Sequence, residues 1–405
     1  MHLRTLTIVV ATSLIVAAAA PAVASQLFDG CAAVAASKYE PGYEGTGIID
    51  VSGFSAYDAI QACEPALAED PGNIQLEAWL GNAYVADAQV SRAVPLLEHA
   101  AAANNFVAMR ALGDLLVLGK GAPQDLPRAI SLLNAAAEAG FAPAELSLAY
   151  SYDFGDGVPQ DQSLALKWYL AAAEAGVAKA QVIVAKRYRD GLGVEPDDAE
   201  AFGWFKRAAD AKDPEAQYQV GVAYLEGRGT KARKASALAA FQDATDQFYG
   251  PGMTALGYMT ELGIGIEADP EQAAQLYSNA RSRNVALAKH NLALLEETGT
   301  GVSPDTADAR ALYLEAARAG EVRAAVNLAL MYLSGEGGPV DLDEGFRWTK
   351  IAADAGNLAG INNLGRLYEL GVGVAADPDK ARELYARAAD AGYDLARDNL
   401  ARIGQ

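Results

Sequence analysis

The chain has 405 residues and a formal net charge of −20, from 52 Asp and Glu against 32 Lys and Arg. Such an acidic surface repels phosphate backbones and anionic lipid, which sets nucleic acid aside as a partner. Basic peptides, basic protein faces, cations or plain solubility remain as its use. Hydrophobic residues make up 51% of the chain, but much of that is alanine, so the expected core is long and thin rather than round.

Arg4 and the uncharged stretch from Leu6 to Ala20 lead to Ala22-Val23-Ala24, a small-x-small site before Ser25. This layout predicts a secretory signal peptide over 1–24. The alternative, a membrane-anchoring helix, suits a longer stretch, and no second apolar segment follows, so no membrane span is expected after cleavage. Cys31 lies beyond Asp29, too late for a lipid-modified first residue. The mature protein is expected in the periplasm or secreted. Its only cysteines are Cys31 and Cys63. In an oxidising compartment an even, local pair favours one disulfide over two free buried thiols. Residues 25–55, with Pro41, Gly42, Gly45, Gly47 and Gly53, read as an irregular N-terminal cap that such a disulfide would tie to the first helix.

From residue 108 the chain repeats. A Gly-x-Gly pair begins at Gly119, Gly155, Gly191, Gly227, Gly263, Gly299, Gly335 and Gly371, always 36 residues apart. Six residues after the first glycine stands Asp, with Arg233 the exception. Four residues further comes Ala, with Gly345 the exception, and then an aromatic column of Tyr169, Phe205, Phe241, Tyr277, Tyr313 and Tyr385. Small and Leu residues four apart upstream of each glycine pair predict an amphipathic first helix, as over Ala144 to Asp153. The glycine ends it in a left-handed cap. Asp caps the second helix, with Pro270 and Pro378 at its first position and Asp197 with Glu200 as a capping box. Alanine and the aromatic form its buried stripe. The most regular residues are thus the least suited to touch a ligand.

The stretch Ala59 to Asn73 with Leu80-Gly81-x-x-Tyr84, and the 34 residues from Ala59 to Ala93, resembles a tetratricopeptide repeat, so 56–107 reads as tetratricopeptide-like helices. The 36-residue unit, well shown by 144–179 and 360–395, resembles the Sel1-like repeat in eight copies over 108–395. The N-terminal block from Cys31 resembles the leader region of exported bacterial members. Residues 396–405 read as a C-terminal capping helix, since Leu395 to Ile403 repeats a first helix without its partner. The resemblance implies an all-α fold, a right-handed α-solenoid of stacked helix pairs, acting as an adaptor. Cysteine-rich relatives linked to penicillin binding carry a disulfide in every repeat; none of these eight repeats holds a cysteine, so that role does not transfer.

No catalytic pattern emerges. His99 and His290 stand far apart, and neither a zinc spacing, a Gly-x-Ser-x-Gly elbow nor a phosphate loop is present. The glycine pairs follow helices, which excludes a dinucleotide fingerprint. Asp153-x-x-Asp156 lacks calcium-loop spacing and reads as solvated surface. The expectation is no enzyme, no metal and no cofactor; two distant carboxylates meeting across the groove keep hydrolysis as the remaining catalytic alternative.

In stacked helix pairs the first helices line the concave face. Their outward positions lie two before and two after the Leu column, and the candidates there are Tyr150, Lys186, Tyr218, Tyr258, His290 and Arg366. Tyrosines serve as aromatic anchors, Lys186 and Arg366 as carboxylate partners, and His290 as a source of pH sensitivity. A second patch, Arg228 with Lys231, Arg233 and Lys234, replaces the usual loop, and Thr260 stands where Tyr152, Tyr188, Tyr224, Tyr332 and Tyr368 occur. A bend, a specialised patch or drift in a tolerant loop would each explain it. The sequence therefore points to a non-catalytic protein–protein scaffold, adaptor or regulator of the bacterial cell envelope. Groove aromatics also suit sugars, so a glycan- or small-molecule-binding protein is the alternative.

Overall fold

A computed structural model describes residues 20–43 and 54–403, with side chains from Ser25 onward. Most of the signal-peptide reading, and Gly45, Gly47 and Gly53 of the expected cap, lie outside the described residues. Among the described residues there are 21 helices and no β-strand.

Sequence period becomes structural period with little change. First helices run Phe106–Leu118, Ala142–Phe154, Ala178–Asp190, Pro214–Glu226, Gly250–Leu262, Ala286–Thr298, Val322–Ser334 and Leu358–Leu370, defining repeats 1 to 8. Second helices run Leu126–Glu138, Gln162–Glu174, Asp198–Asp210, Lys234–Asp246, Pro270–Ser282, Thr306–Arg318, Leu342–Asp354 and Pro378–Asp390. Asp125, Asp161, Asp197, Asp269, Asp305, Asp341 and Asp377 each accept backbone N–H bonds at 2.9–3.1 Å from the helix they start, satisfying donors that have no partner within it. Arg233, in the same place, makes no such cap.

The two glycines of each pair do different work. The first takes the left-handed conformation and ends the first helix. The second lets repeats stack. A Cβ on Gly337, at φ +68°, would sit 2.1 Å from the carbonyl oxygen of Thr306, where the preceding second helix begins. Gly345, the break in the alanine column, has a local cause as well: a Cβ there would lie 2.5 Å from Leu333.

Two compact units divide within the second helix of repeat 3, between Trp204 and Phe205. In the first, part of the segment expected to be irregular is helical, over Ala20–Ala35, and Ala56–Glu69, Ile74–Ala86 and Val90–Ala102 precede the repeats. Cys31 and Cys63 form a disulfide between the first two of these helices, with both residues buried and Cα atoms 4.7 Å apart. The segment after the first helix is anchored by buried Glu40, which accepts from Gln75 Nε2 at 2.7 Å and Trp79 Nε1 at 2.9 Å. Tyr39 donates its hydroxyl to the Gly176 carbonyl at 3.1 Å, reaching repeat 2. Repeats 4 to 8 make up the second unit with the terminal helix Asp394–Ile403, which packs on the second helix of repeat 8. Within each unit a first helix packs on its own second helix, and that second helix on the next first helix, giving an α-solenoid of stacked pairs.

Candidate functional site

The two expected outward rows of the first helices differ in exposure. In the row two residues before the Leu column, Val182, Thr254, His290 and Asn362 are buried. His290 is only 7% exposed, its ring centroid 5.5 Å from that of Tyr313. Burial and then the charge of Arg323 hold its pKa below the ordinary value against the pull of Glu321, so the ring is a neutral packing group rather than an exposed pH sensor. Tyr218 is half-buried, with ring centroids 5.8 Å from Phe241 and 6.0 Å from Tyr249. His290 is thus packed within the stack, whereas Tyr218, in contact with Tyr249 of the next repeat, keeps part of its surface exposed.

The row two residues after the Leu column lies nearer solvent. In the first unit Tyr150 and Lys186 are half-buried; Tyr150 stacks on Phe154 at 6.2 Å and meets Tyr169 edge-on at 5.5 Å. In the second unit Tyr258, Leu294, Leu330 and Arg366 recur at 36-residue intervals and are all exposed. Leu262 and Leu370, a turn beyond Tyr258 and Arg366, are exposed too. Between the first helices of repeats 6 and 7 lies an open depression of about 540 Å³, lined by Leu294, Glu297, Asn327, Leu330, Met331, Leu333, Ser334 and Glu336.

A feature absent from the sequence expectations sets the carboxylates on this face. The tyrosine of the second helix donates its hydroxyl to a carboxylate 16 residues earlier on the first helix: Tyr169 to Asp153 at 3.0 Å, Tyr277 to Glu261 at 2.7 Å, Tyr313 to Glu297 at 2.7 Å and Tyr385 to Glu369 at 2.8 Å. The rule is readable within the chain. Where the second helix carries Leu133, Phe205, Phe241 or Thr349 instead, the residue 16 earlier is Val117, Arg189, Leu225 or Leu333, never an acid. Burial and the neighbouring carboxylate both push these phenols above their ordinary pKa, so they stay protonated donors.

Two of the four carboxylates are also neutralised by arginine. Arg187, 3% exposed, meets Asp153 at 2.5 Å, lies 4.8 Å from the centroid of the Tyr169 ring and donates to Gln162 Oε1 at 2.9 Å. Burial opposes charge on Asp153, but the bonds from Arg187 and Tyr169 hold its carboxyl below the usual range. Arg402 grips Glu369 through both guanidinium nitrogens, at 2.6 and 2.7 Å. Glu261 and Glu297 have no such cation among the described residues.

Glu296 stands in the Tyr column of the first helices, where Thr260 and Leu116 are the other breaks and both are buried. Burial and the charge of nearby Asp308 push the Glu296 carboxyl up to about 7. In the basic patch Lys231, Arg233 and Lys234 are exposed, while Arg228 is ion-paired with Glu226. Among the described residues no three His, Cys, Asp or Glu side chains gather as a metal site would need, and no helix is long and apolar enough to cross a membrane.

A family model described as the Sel1 repeat matches eight successive segments, at 107–141, 142–177, 178–213, 214–240, 250–285, 286–321, 322–357 and 358–393. A comparison with curated proteins found no match. Among solved structures the chain is similar to c5321, a protective antigen of uropathogenic Escherichia coli strains displaying an SLR fold. That likeness has 23% identity and a TM-score of 0.58, covering 95% of this chain and 90% of that one. A Sel1 repeat protein from Oxalobacter formigenes is 29% identical, with a TM-score of 0.58 over 76% of this chain and 90% of that one. With eight units matched over more than half of its length, the chain belongs to the Sel1 repeat family, whose repeats generally mediate protein–protein interaction.

Proposed function

We propose that this protein is a non-catalytic scaffold, adaptor or regulator of the bacterial cell envelope, docking a protein partner along the first helices of repeats 5 to 8. The observation that carries the reading is the row Tyr258, Leu294 and Leu330: large apolar side chains 46%, 38% and 49% exposed, one per repeat, on a surface otherwise rich in charge. A rigid series of stacked pairs presents such a row with little ordering cost, which suits an extended or helical segment of a partner. Export is supported by the signal-like leader and by the disulfide, which persists in oxidising compartments. Glu261 and Glu297 on this face each accept a tyrosine hydroxyl, which fixes their orientation.

The test is capture from an envelope extract with light crosslinking, by the wild type and by a variant with Tyr258→Ala, Leu294→Ala and Leu330→Ala. Circular dichroism first establishes equal helicity. One protein held by the wild type and lost by the variant supports the docking face. Equal capture by both moves the interface elsewhere, to the Lys231–Lys234 loop for instance. Capture of envelope polysaccharide and no protein replaces this reading with glycan binding.

A further inference from the structure

The chain contains its own template for the ligand of the depression between repeats 6 and 7. Arg402 on the terminal helix lies 33 residues after Glu369 and grips its carboxylate through two nitrogens. The same spacing from Glu297 leads to Leu330, and from Glu261 to Leu294. At both places the repeat keeps the tyrosine-held carboxylate and replaces the arginine with an exposed leucine. The result at Glu297 is an open depression of about 540 Å³ in which Glu336 joins Glu297. Among the described residues neither carboxylate is ion-paired, so the slot that takes a guanidinium at the C-terminal end stands without one here.

Resting on the docking face proposed above, we infer that this depression receives a lysine or arginine side chain of the partner, its cation held by Glu297 and Glu336. Leu294, Leu330 and Met331 supply apolar wall for the aliphatic stem of such a side chain, which buries its methylenes while its head meets charge. That mixed lining suits an amphipathic cation better than a hydrated inorganic ion, which would gain nothing from leucine. The Tyr313 hydroxyl fixes one oxygen of Glu297 at 2.7 Å and so orients the carboxylate before the ligand arrives. The net charge of −20 draws a basic segment toward the face from a distance.

The full chain is titrated, by fluorescence anisotropy, with short peptide pools whose central residue is Arg, Lys, citrulline or norleucine and whose flanking positions mix Leu, Ala, Gly and Ser. The Arg and Lys pools should bind about tenfold more tightly than the citrulline and norleucine pools, and that preference should shrink in raised salt. Glu297→Gln with Glu336→Gln should erase the preference while leaving norleucine binding in place. Leu330→Arg should erase it too, by recreating within the chain the pair that Arg402 makes with Glu369. Binding of all pools without a cation preference overturns this inference and leaves the docking face standing. Failure of every pool to bind overturns both.

Discussion

The second glycine of each pair permits a test of what sets the stacking distance. Gly337 and Gly320 both hold left-handed backbone, at φ +68° and +91°, but a Cβ on Gly320 would meet nothing within 4 Å. Gly320→Ala therefore carries only the cost of an L-residue in that conformation, about 1–2 kcal/mol. Gly337→Ala carries that and a clash, since its Cβ would lie 2.1 Å from the Thr306 oxygen and 2.8 Å from the Thr306 carbonyl carbon, backbone atoms with no rotamer to change. Relief requires the first turn of Thr306–Arg318 to move away from repeat 7, and overpacking of this kind adds about 1–3 kcal/mol. The expected loss for Gly337→Ala is thus about 3–4 kcal/mol, roughly twice that for Gly320→Ala. Urea unfolding followed by far-ultraviolet circular dichroism gives both values, and hydrogen exchange over 306–340 locates the loosening. If the two variants unfold within about 0.5 kcal/mol of each other, the close-approach argument is wrong.

Three further outcomes follow from the side-chain ties. Phe241→Tyr places a hydroxyl in a 1%-exposed site opposite Leu225 and should destabilise; adding Leu225→Glu should recover about 1 kcal/mol through the tie used elsewhere. A urea series on both single variants and the double one that shows no positive coupling would refute the rule. Arg187→Ala strands Asp153 without its buried partner and should cost about 3 kcal/mol, while Lys350→Ala, breaking an exposed pair with Asp354, should cost under about 0.5 kcal/mol. Equal losses in thermal melts would show that burial does not decide the difference. For Glu296, a carboxyl raised from 4.5 to about 7 leaves the fold unpenalised below pH 4.5, and the penalty grows as pH rises through about 7. Glu296→Gln should therefore gain on the wild type between pH 5 and 8, by about 1 kcal/mol once solvent screening of this half-exposed group is allowed for. Parallel melting curves across that range would rule out the shift.

The architecture is legible because its causes recur: the glycine pair eight times, the capping Asp and the packed Ala seven times each. Asp at one column and glycine at another suffice to bound both helices to within about two residues, and Arg233 is foreseeable as the uncapped exception. The tyrosine ties were equally open to reading, through the pairing of Tyr169, Tyr277, Tyr313 and Tyr385 with acids and of Phe241 or Leu133 with apolar residues. Periodicity alone treats that column as packing and overlooks its hydroxyl. What the sequence hides is anything set by the stagger between repeats. His290 and Leu294 are both spaced for the outward face, yet one is 7% and the other 38% exposed, because only one row looks toward the next helix pair. Glu40 is hidden for a related reason: its partners, Gln75 and Trp79, lie on a helix that no local pattern connects to it.

The address of each contact bears on how such a chain changes length. Both ends of the four tyrosine–carboxylate bonds within the repeats lie 16 residues apart inside one repeat, so a duplicated or deleted unit carries the bond with it intact. At Gly193, Gly301, Gly337 and Gly373 the close approach to the preceding repeat is to a main-chain carbonyl, an atom pair that any neighbour supplies. Removing residues 286–321 as a block would join the first helix of repeat 7 to the second helix of repeat 5 through an interface made of the same parts. Ion pairs such as Arg187 with Asp153 are the exception, since they name a particular neighbour and fix the order of the repeats they join.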